Sequence, residues 1–552
     1  MTPLKIALSR DFGVLPGRWL DSGGSLFQKT FALYFNACIK FCCRKTIILV
    51  IIVRTVIVFF AAIFLAVSFG NSLIFADVRG QTPLYNAEQF ARMHPDGNYV
   101  LAADIFWDRT PIETFRGTLD GAGFEIRGTA NALGTPSQSI AIPFDISNFR
   151  TENALLPAIS DAKITSQTRN CSIGGIFKTL DGAEIRNLKI ADMRVCGDFG
   201  GILAGEIRGG IIEDVTIFGG EIRLKTPESV EKLRPPLKFS SAVGGLTGAA
   251  RDVQIRDILV HNVRIVHREH ETAHPPEIAD ALPSPEESEN IRFAVGGLAG
   301  ILQNCNVERT YVLNAEIMLA KNGQKGGNAV FGNANDVSAG GFVGIVSGNS
   351  TFEDCVAVAD VYASGVSGGF AGIATGSCTS IARDTDLAEK QRRNIGAEFT
   401  RCRSRGTVRG ETAGGFIGRL SGRSRVAHSH AIAEVTANNA GGFAGEITNS
   451  SRIEFSSAGS EVFGEQNAGG FVAKISDVGA PNTITNSLAL GRAVAGGNAR
   501  RFAALQDHDG VNNCYAALGM VLIRDGQLAH VIPNPYSADG GDISRSKIDS
   551  LQ

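Results

Sequence analysis

Glycine returns in pairs along this sequence, and the spacing of those pairs restricts the fold more than any other feature. The pairs are Gly174-Gly175, Gly200-Gly201, Gly244-Gly245, Gly296-Gly297, Gly340-Gly341, Gly368-Gly369, Gly414-Gly415, Gly441-Gly442 and Gly469-Gly470, with a degenerate tenth copy read at Gly496-Gly497. Successive first glycines are 26, 44, 52, 44, 28, 46, 27, 28 and 27 residues apart, so the unit is about 27 residues and four units carry insertions.

A second ladder downstream of the pairs keeps the same register. Ile185, Ile212, Ile255, Val307, Phe352, Phe399, Val426, Ile453, Ile484 and Val511 open ten equivalent segments. Three positions on stand Leu188, Val215, Ile258, Thr310, Cys355, Cys402, Ser429, Ser456, Ser487 and Cys514, apolar early and small later. A β-branched residue follows at Val195, Ile222, Ile265, Val361, Val408, Val435 and Val462. The apolar positions come in runs of four to six bounded by Gly, Asn and Ser, which is the pattern of short strands. One such strand pair cannot bury its apolar face, whereas like coils stacked about 4.8 Å apart can. The expected fold is all-β, a right-handed parallel β-solenoid of about ten coils. Each glycine pair is expected to be a tight corner, using positive φ and close backbone approach. The loops lack the Lys-Ser/Thr and strand-to-helix context of a phosphate cradle.

The GGFxG segments, followed about fifteen residues later by strands such as EDCVA and TNSLA, resemble the GLUG-motif repeat. That repeat is similar to segments of bacterial surface and exported proteins, including the non-catalytic region of immunoglobulin A-cleaving metallopeptidases. LYNAEQFARM, NYVLAADI and FRGTLDGAGFEIRG resemble the opening of such arrays, and the resemblance spans roughly residues 81–520. It implies a repeat architecture and a non-enzymatic surface role, with any protease domain lying apart from the repeats.

Composition bears on partners. Net charge is −2 with 20% charged residues, which excludes both a basic nucleic-acid binder and a disordered acidic tail. Residues 1–45 form a basic region, with Lys5, Arg10, Arg18, Lys29, Lys40, Arg44 and Lys45 against Asp11 and Asp21. An apolar run from Thr46 to Phe69, broken only by Arg54, then reads as a hydrophobic helix. Across 46–76 this is either an uncleaved signal anchor holding residues 46–69 in the membrane, or a signal peptide cut near Ala76. Both readings place the repeats outside the cytoplasm. Residues 77–173 are expected to hold the solenoid's N-terminal cap, with a helix around Ala87–Met93, and its first coils. Residues 174–520 hold the repeats, and 521–552 a C-terminal cap or tail.

The ten cysteines are dispersed. Cys38, Cys42 and Cys43 flank the apolar run, and Cys355, Cys402 and Cys514 share the rung that serine fills in other coils. The pattern reads as small buried residues, not as a disulfide framework, and no CxxC is present. Asp120-Gly121-Ala122-Gly123 reads as a turn between strands, too poor in oxygen ligands for calcium.

The long steps place insertions near Lys225–Phe239, His267–Arg292, Lys321–Val337 and Thr375–Ala397, rich in charge, Pro, Gly or Asn. They must leave the stack as surface loops, where binding is sited on a rigid rod. One contains His270-Glu271-Thr272-Ala273-His274, an HExxH string in which two histidines would hold zinc and Glu271 would act as general base. Pro275-Pro276 ends any helix at once, and a third ligand would have to come from Glu277, Glu286 or Glu287. Asp214, Asp257 and Asp354 share one repeat position, a thin signal for a polysaccharide hydrolase or lyase because other residue types fill that position elsewhere. Arg405, Arg409, Arg419, Arg423 and Arg425 cluster in sequence without interleaved aromatics, so no nucleic-acid stripe is expected.

The reading is an exported, adhesin-like interaction module without cofactor, partnered by an extracellular protein or glycan. A zinc peptidase, a carbohydrate-active enzyme and an inert spacer are the rivals. A working zinc site needs a third ligand held rigidly and an open position for water. Purified protein is therefore expected to carry less than one zinc per chain, and Glu271→Gln to leave every proteolysis assay unchanged. One tightly bound zinc with cleavage abolished by that substitution would reverse the reading.

Overall fold

A computed structural model describes residues 80–128, 174–197, 199–224, 241–267, 293–319, 337–376, 396–476, 481–506, 510–544 and 547. The chain divides into two units, Met1–Arg79 and Gly80–Gln552. The first unit, with the basic region, the apolar run and Cys38, Cys42 and Cys43, lies outside the described residues, as does the HExxH string. Among the described residues no helix is long and apolar enough to cross a membrane.

The second unit is a parallel β-solenoid. One strand from each of eleven successive coils, from Ile112–Phe115 to Ala503–Gln506, makes an eleven-stranded sheet, and thirty-three strands make the other sheet. The register is the one the periodicity predicts. Ile185 pairs with Ile212, and the column continues through Ile255, Val307, Phe352, Phe399, Val426, Ile453 and Ile484 to Val511. It also runs backwards into Leu119 and Tyr99, whose coils precede the first glycine pair. The β-branched column is as continuous, and it includes Ile317 and Val494 as well as the seven residues read from sequence.

Of the two glycine properties expected, close backbone approach holds along the stack and positive φ does not. Only Gly174 and Gly175 take positive φ, at 94° and 91°. In the later pairs glycine supplies room. A Cβ built on Gly442 would lie 2.1 Å from the carbonyl oxygen of Gly470 in the next coil, and one on Gly415 would lie 2.1 Å from that of Gly442. From Gly244 onward the first glycine of each pair is equally tight, a Cβ on Gly441 falling 1.8 Å from the oxygen of Ala444 in its own coil. No side chain fits, so coils stack at this point backbone on backbone.

The residue after each pair points inward. Phe342, Phe370, Phe416, Phe443, Phe471 and Phe502 are fully buried and stack face to face, with centroids 4.5 to 5.0 Å apart and rings within 12° of parallel. Phe352 and Phe399 stack beside them at 4.8 Å and meet the first column edge-on. Offset stacks and edge contacts both suit the aromatic quadrupole.

Two further readings are corrected. The tenth copy is Arg500-Arg501, because Gly469 pairs with Arg500 while Gly496 pairs with Gly464. Arginine is tolerated there because the C-terminal segment, not another glycine pair, comes next: Phe502 and Ala503 donate to the Ala538 carbonyl. Arg501 is paired with Asp542 at 2.7 Å. Cys196 is disulfide-bonded, so not every cysteine is a simple small core residue.

At the other end the helix Ala87–Ala91 starts at Asn86, whose side chain accepts from Glu88 and Gln89 N–H. Its Phe90 is buried against Trp107, 5.1 Å away and edge-on. Phe443→Ala is expected to cost about 3–5 kcal/mol in urea unfolding, as for other buried Phe truncations. Gly442→Ala should also destabilise by lifting one coil off the next; an unchanged midpoint for either would contradict the stacking described.

Candidate functional site

Stacking in register decides where the insertions emerge. The strand Ile211–Leu224 pairs with Leu259–His267 so that Leu224 lies beside His267, and Val266 lies beside Met318 of the next coil. The chain returns at Ser241, Phe293 and Val337, which also pair in a column. Residues 225–240, 268–292 and 320–336 therefore leave and rejoin one edge of the solenoid in three consecutive coils. His267 and Val337 belong to strands, which tightens the bounds read from sequence. The fourth insertion, 377–395, leaves after the strand Ala371–Thr375 of the other sheet and rejoins before Glu398–Thr400, at a different corner.

At the root of the shared edge Leu224, His267, Phe293, Val295, Leu319 and Val337 line an apolar cleft. Burial pushes the His267 imidazole down to about 4. At neutral pH this ring is uncharged among aliphatic and aromatic neighbours, in a cavity of only about 10 Å³. No sequence pattern singled it out, since it is the end residue of a strand and its neighbours arrive from two other coils.

The shared aspartates are corners. Asp214, Asp257 and Asp354 have φ of 50°, 56° and 55°, the left-handed conformation that Asp and Asn tolerate best. Arg309, Arg401, His428 and Phe455 hold the same conformation in their own coils. Arg309 reaches Asp257 through two bonds of 2.7 and 2.8 Å, and Arg401 reaches Asp354 through two of 2.7 and 3.0 Å. The hydrogen-bonded guanidinium holds each of these two carboxyls below the usual range. A general acid needs the opposite shift, so these groups form a charge ladder and not an acid–base pair.

The sequence cluster of arginines is dispersed by the fold. Arg419 pairs with Glu446 at 2.8 Å on the eleven-stranded sheet, and Arg425 bridges Glu398 and Glu454 on a short strand of the other sheet. Arg409 lies near Glu434 and over the ring of Tyr362, and Arg423 is a left-handed turn residue. Arg405 faces outward on the strand Arg403–Gly414.

Cys305, Cys355, Cys402 and Cys514 are free and buried, and burial pushes the Cys305 thiol up to about 11, Cys514 up to about 12 and Cys355 well above the ordinary range. A nucleophile requires the thiolate, which burial opposes. Ser429, Ser456 and Ser487 show the rung's actual use: each hydroxyl donates to the carbonyl two residues back at 2.9 Å. Each also accepts an N–H from the preceding coil at 3.1 to 3.3 Å. Among the described residues no group of three or more His, Cys, Asp or Glu side chains converges to hold a metal. The Asp120–Gly123 turn is closed by the Ala122 N–H donating to Asp120 at 2.8 Å.

Comparison with known proteins adds little. No family model matches the chain, and no curated protein matches it. Among solved structures it is similar to a proposed immunoglobulin A1 protease from Bacteroides ovatus, with 14% identity over 85% of this chain and 86% of that one. The TM-score is 0.21, too low to carry an argument.

His267 makes the cleft sensitive to acid. Its folded-state value lies below the ordinary 6.5, so its contribution to stability is complete above about 6.5 and is lost as pH falls towards 4. Thermal unfolding measured across that window should show a smaller loss for His267→Phe than for the unchanged chain. Equal slopes would mean that the imidazole is solvated.

Proposed function

We propose that this chain is an exported or cell-surface β-solenoid that works by binding, adhesin-like and without catalysis, and that it presents its insertions to an extracellular protein or glycan. The observation that carries the reading is that the strand ends flanking residues 225–240, 268–292 and 320–336 lie side by side on one edge of the solenoid in three consecutive coils. Loops held by a rigid scaffold at neighbouring rungs form one composite surface, the usual arrangement for recognition. The ion-paired corner aspartates and the buried thiols offer no group poised for acid–base or nucleophilic work. The basic region followed by the apolar run supports export, the run serving as a membrane anchor through residues 46–69 if it stays uncleaved.

Replacing residues 268–292 by a short Gly-Ser linker between His267 and Phe293 tests the reading on protein and glycan arrays. The full chain is expected to capture a specific ligand. The loop-replaced chain should unfold within a few degrees of it, as long surface insertions contribute little to stability, and should lose the capture. Capture unaffected by the replacement, with the fold intact, would move the site elsewhere.

A further inference from the structure

Exposed apolar side chains are not spread evenly along the solenoid. Among the described residues twelve large ones stand well exposed: three between Tyr85 and Phe124, nine between Ile432 and Tyr536, and none in the stretch that separates these groups. Apolar residues exposed singly are ordinary on any surface, whereas nine gathered in the last coils call for something that covers them.

Register places the centre of that surface on one outward face. Ala431, Ala458, Ala489 and Ala516 are buried in successive coils, so the residues on either side of them point outward. Before these alanines stand His430, Ser457, Leu488 and Tyr515, paired coil to coil. After them stand Ile432, Gly459 and Leu490, and all seven are wholly or partly exposed. Gly459 leaves a shallow step at the middle of the face, since a Cβ built there would meet only Ile432 at 3.6 Å and the Ala431 carbonyl at 3.8 Å. Phe455, 49% exposed, extends the face across the left-handed corner, and Leu518, 64% exposed, extends it at the last coil.

No Asp, Glu, Lys or Arg occupies either column in these four coils. The change is abrupt: the rung before His430 and Ile432 holds Arg403 and Arg405, and the corner column passes from Asp354 and Arg401 to His428, Phe455, Asn486 and Asn513. Charge bears on the occupant. In a two-fold contact between identical faces each face meets its own copy turned around, so a charged face would meet its own sign, and a face stripped of charge escapes that cost. A lipid surface fits less well, because a face lying on a membrane is fringed by Lys and Arg along its length, and here the cations stand at one margin only.

We propose that the uncharged face of the last four coils is a self-association surface, through which two copies of this chain dock about a two-fold axis passing close to Gly459. Four rungs measure about 14 Å from first to last at the usual strand spacing, the small end of specific interfaces. The dimer is therefore expected to be reversible, with a dissociation constant on the order of micromolar. The inference concerns a different face from the insertions and stands independently of what they bind.

The test is sedimentation velocity of the full chain over a concentration series, in a fixed amount of nonionic detergent so that the apolar run Thr46–Phe69 is screened equally in every sample. A monomer–dimer equilibrium is expected. Gly459→Arg and Gly459→Glu should each weaken it by about tenfold or more, by setting like charges across the axis, and an equal mixture of the two variants should recover the dimer. Thermal unfolding should be unaltered, since a side chain has room at Gly459. Should either variant unfold early, Ile432→Arg and Ile432→Glu make the same complementary pair. Phe106→Glu, exposed at the other end of the solenoid, should change nothing. A monomer at every concentration, a dimer indifferent to both charges, or a mixture as monomeric as its components overturns the proposal. A monomer that instead binds anionic phospholipid vesicles, and loses them in Gly459→Glu, overturns it in favour of a membrane.

Discussion

The contact on which this fold depends is backbone against backbone at the second glycine of each pair. In the coils from Gly297 to Gly470 a Cβ would approach the carbonyl of the coil above to within 2.1 or 2.2 Å. Because this approach leaves no tolerance, each coil is seated on the next at a fixed height, and the side chain that follows the pair is delivered to the same interior point. The phenylalanine stack is the consequence: Phe416, Phe443 and Phe471 donate and accept backbone bonds of 2.8 to 2.9 Å while their rings overlap. The stack ends where the seat is no longer required, at Arg501, over which the C-terminal segment folds.

The opposite corner uses other chemistry. A left-handed residue turns the chain and a small hydroxyl or thiol behind it satisfies the backbone that the turn strains away from the ladder. Thr310, Ser429, Ser456 and Ser487 all donate to the carbonyl two residues back at 2.9 Å. Cys355, Cys402 and Cys514 make the same bond with sulfur at 3.3 to 3.5 Å. Cysteine in this rung is a weak-donor substitute for serine, which explains thiols that are buried and non-nucleophilic.

Character changes along the stack. Asp192, Gly219, Asn262 and Asn314 form an extra corner in the earlier coils, and it disappears at a register shift between Leu313 and Ala315. Outward positions of the eleven-stranded sheet are apolar at Ile301, Ile345 and Ile373, covered by Ala242, Ala294 and Val366. In later coils that column becomes Arg419, Glu446 and Lys474, joined by ion pairs. Asn439, Asn467 and Asn498 stack as an amide ladder in the same later coils. The apolar cavity and the strand ends that flank three insertions fall in the earlier part of the stack.

Periodicity alone determined the class of fold, the unit length, the inward columns and their register, because identical coils repeat the same apolar demand and the repeat is written directly in residue spacing. Phe416 and Phe443 could be placed as stacked neighbours on that basis. The same reasoning misplaced the tenth pair at Gly496-Gly497, since spacing cannot see that Arg501 is allowed wherever the next glycine carbonyl is missing. It also assigned positive φ to the glycines along with close backbone approach, and only the approach holds in the later pairs, where carbonyls of the same and of the next coil leave no room for a Cβ. The candidate sites were the least legible part. His267, Phe293 and Val337 meet because three coils stack, and Asp257 and Asp354 are neutralised because Arg309 and Arg401 arrive from the next coil. Such juxtapositions join residues tens of positions apart across the lateral contacts between coils, and only the tertiary structure decides them.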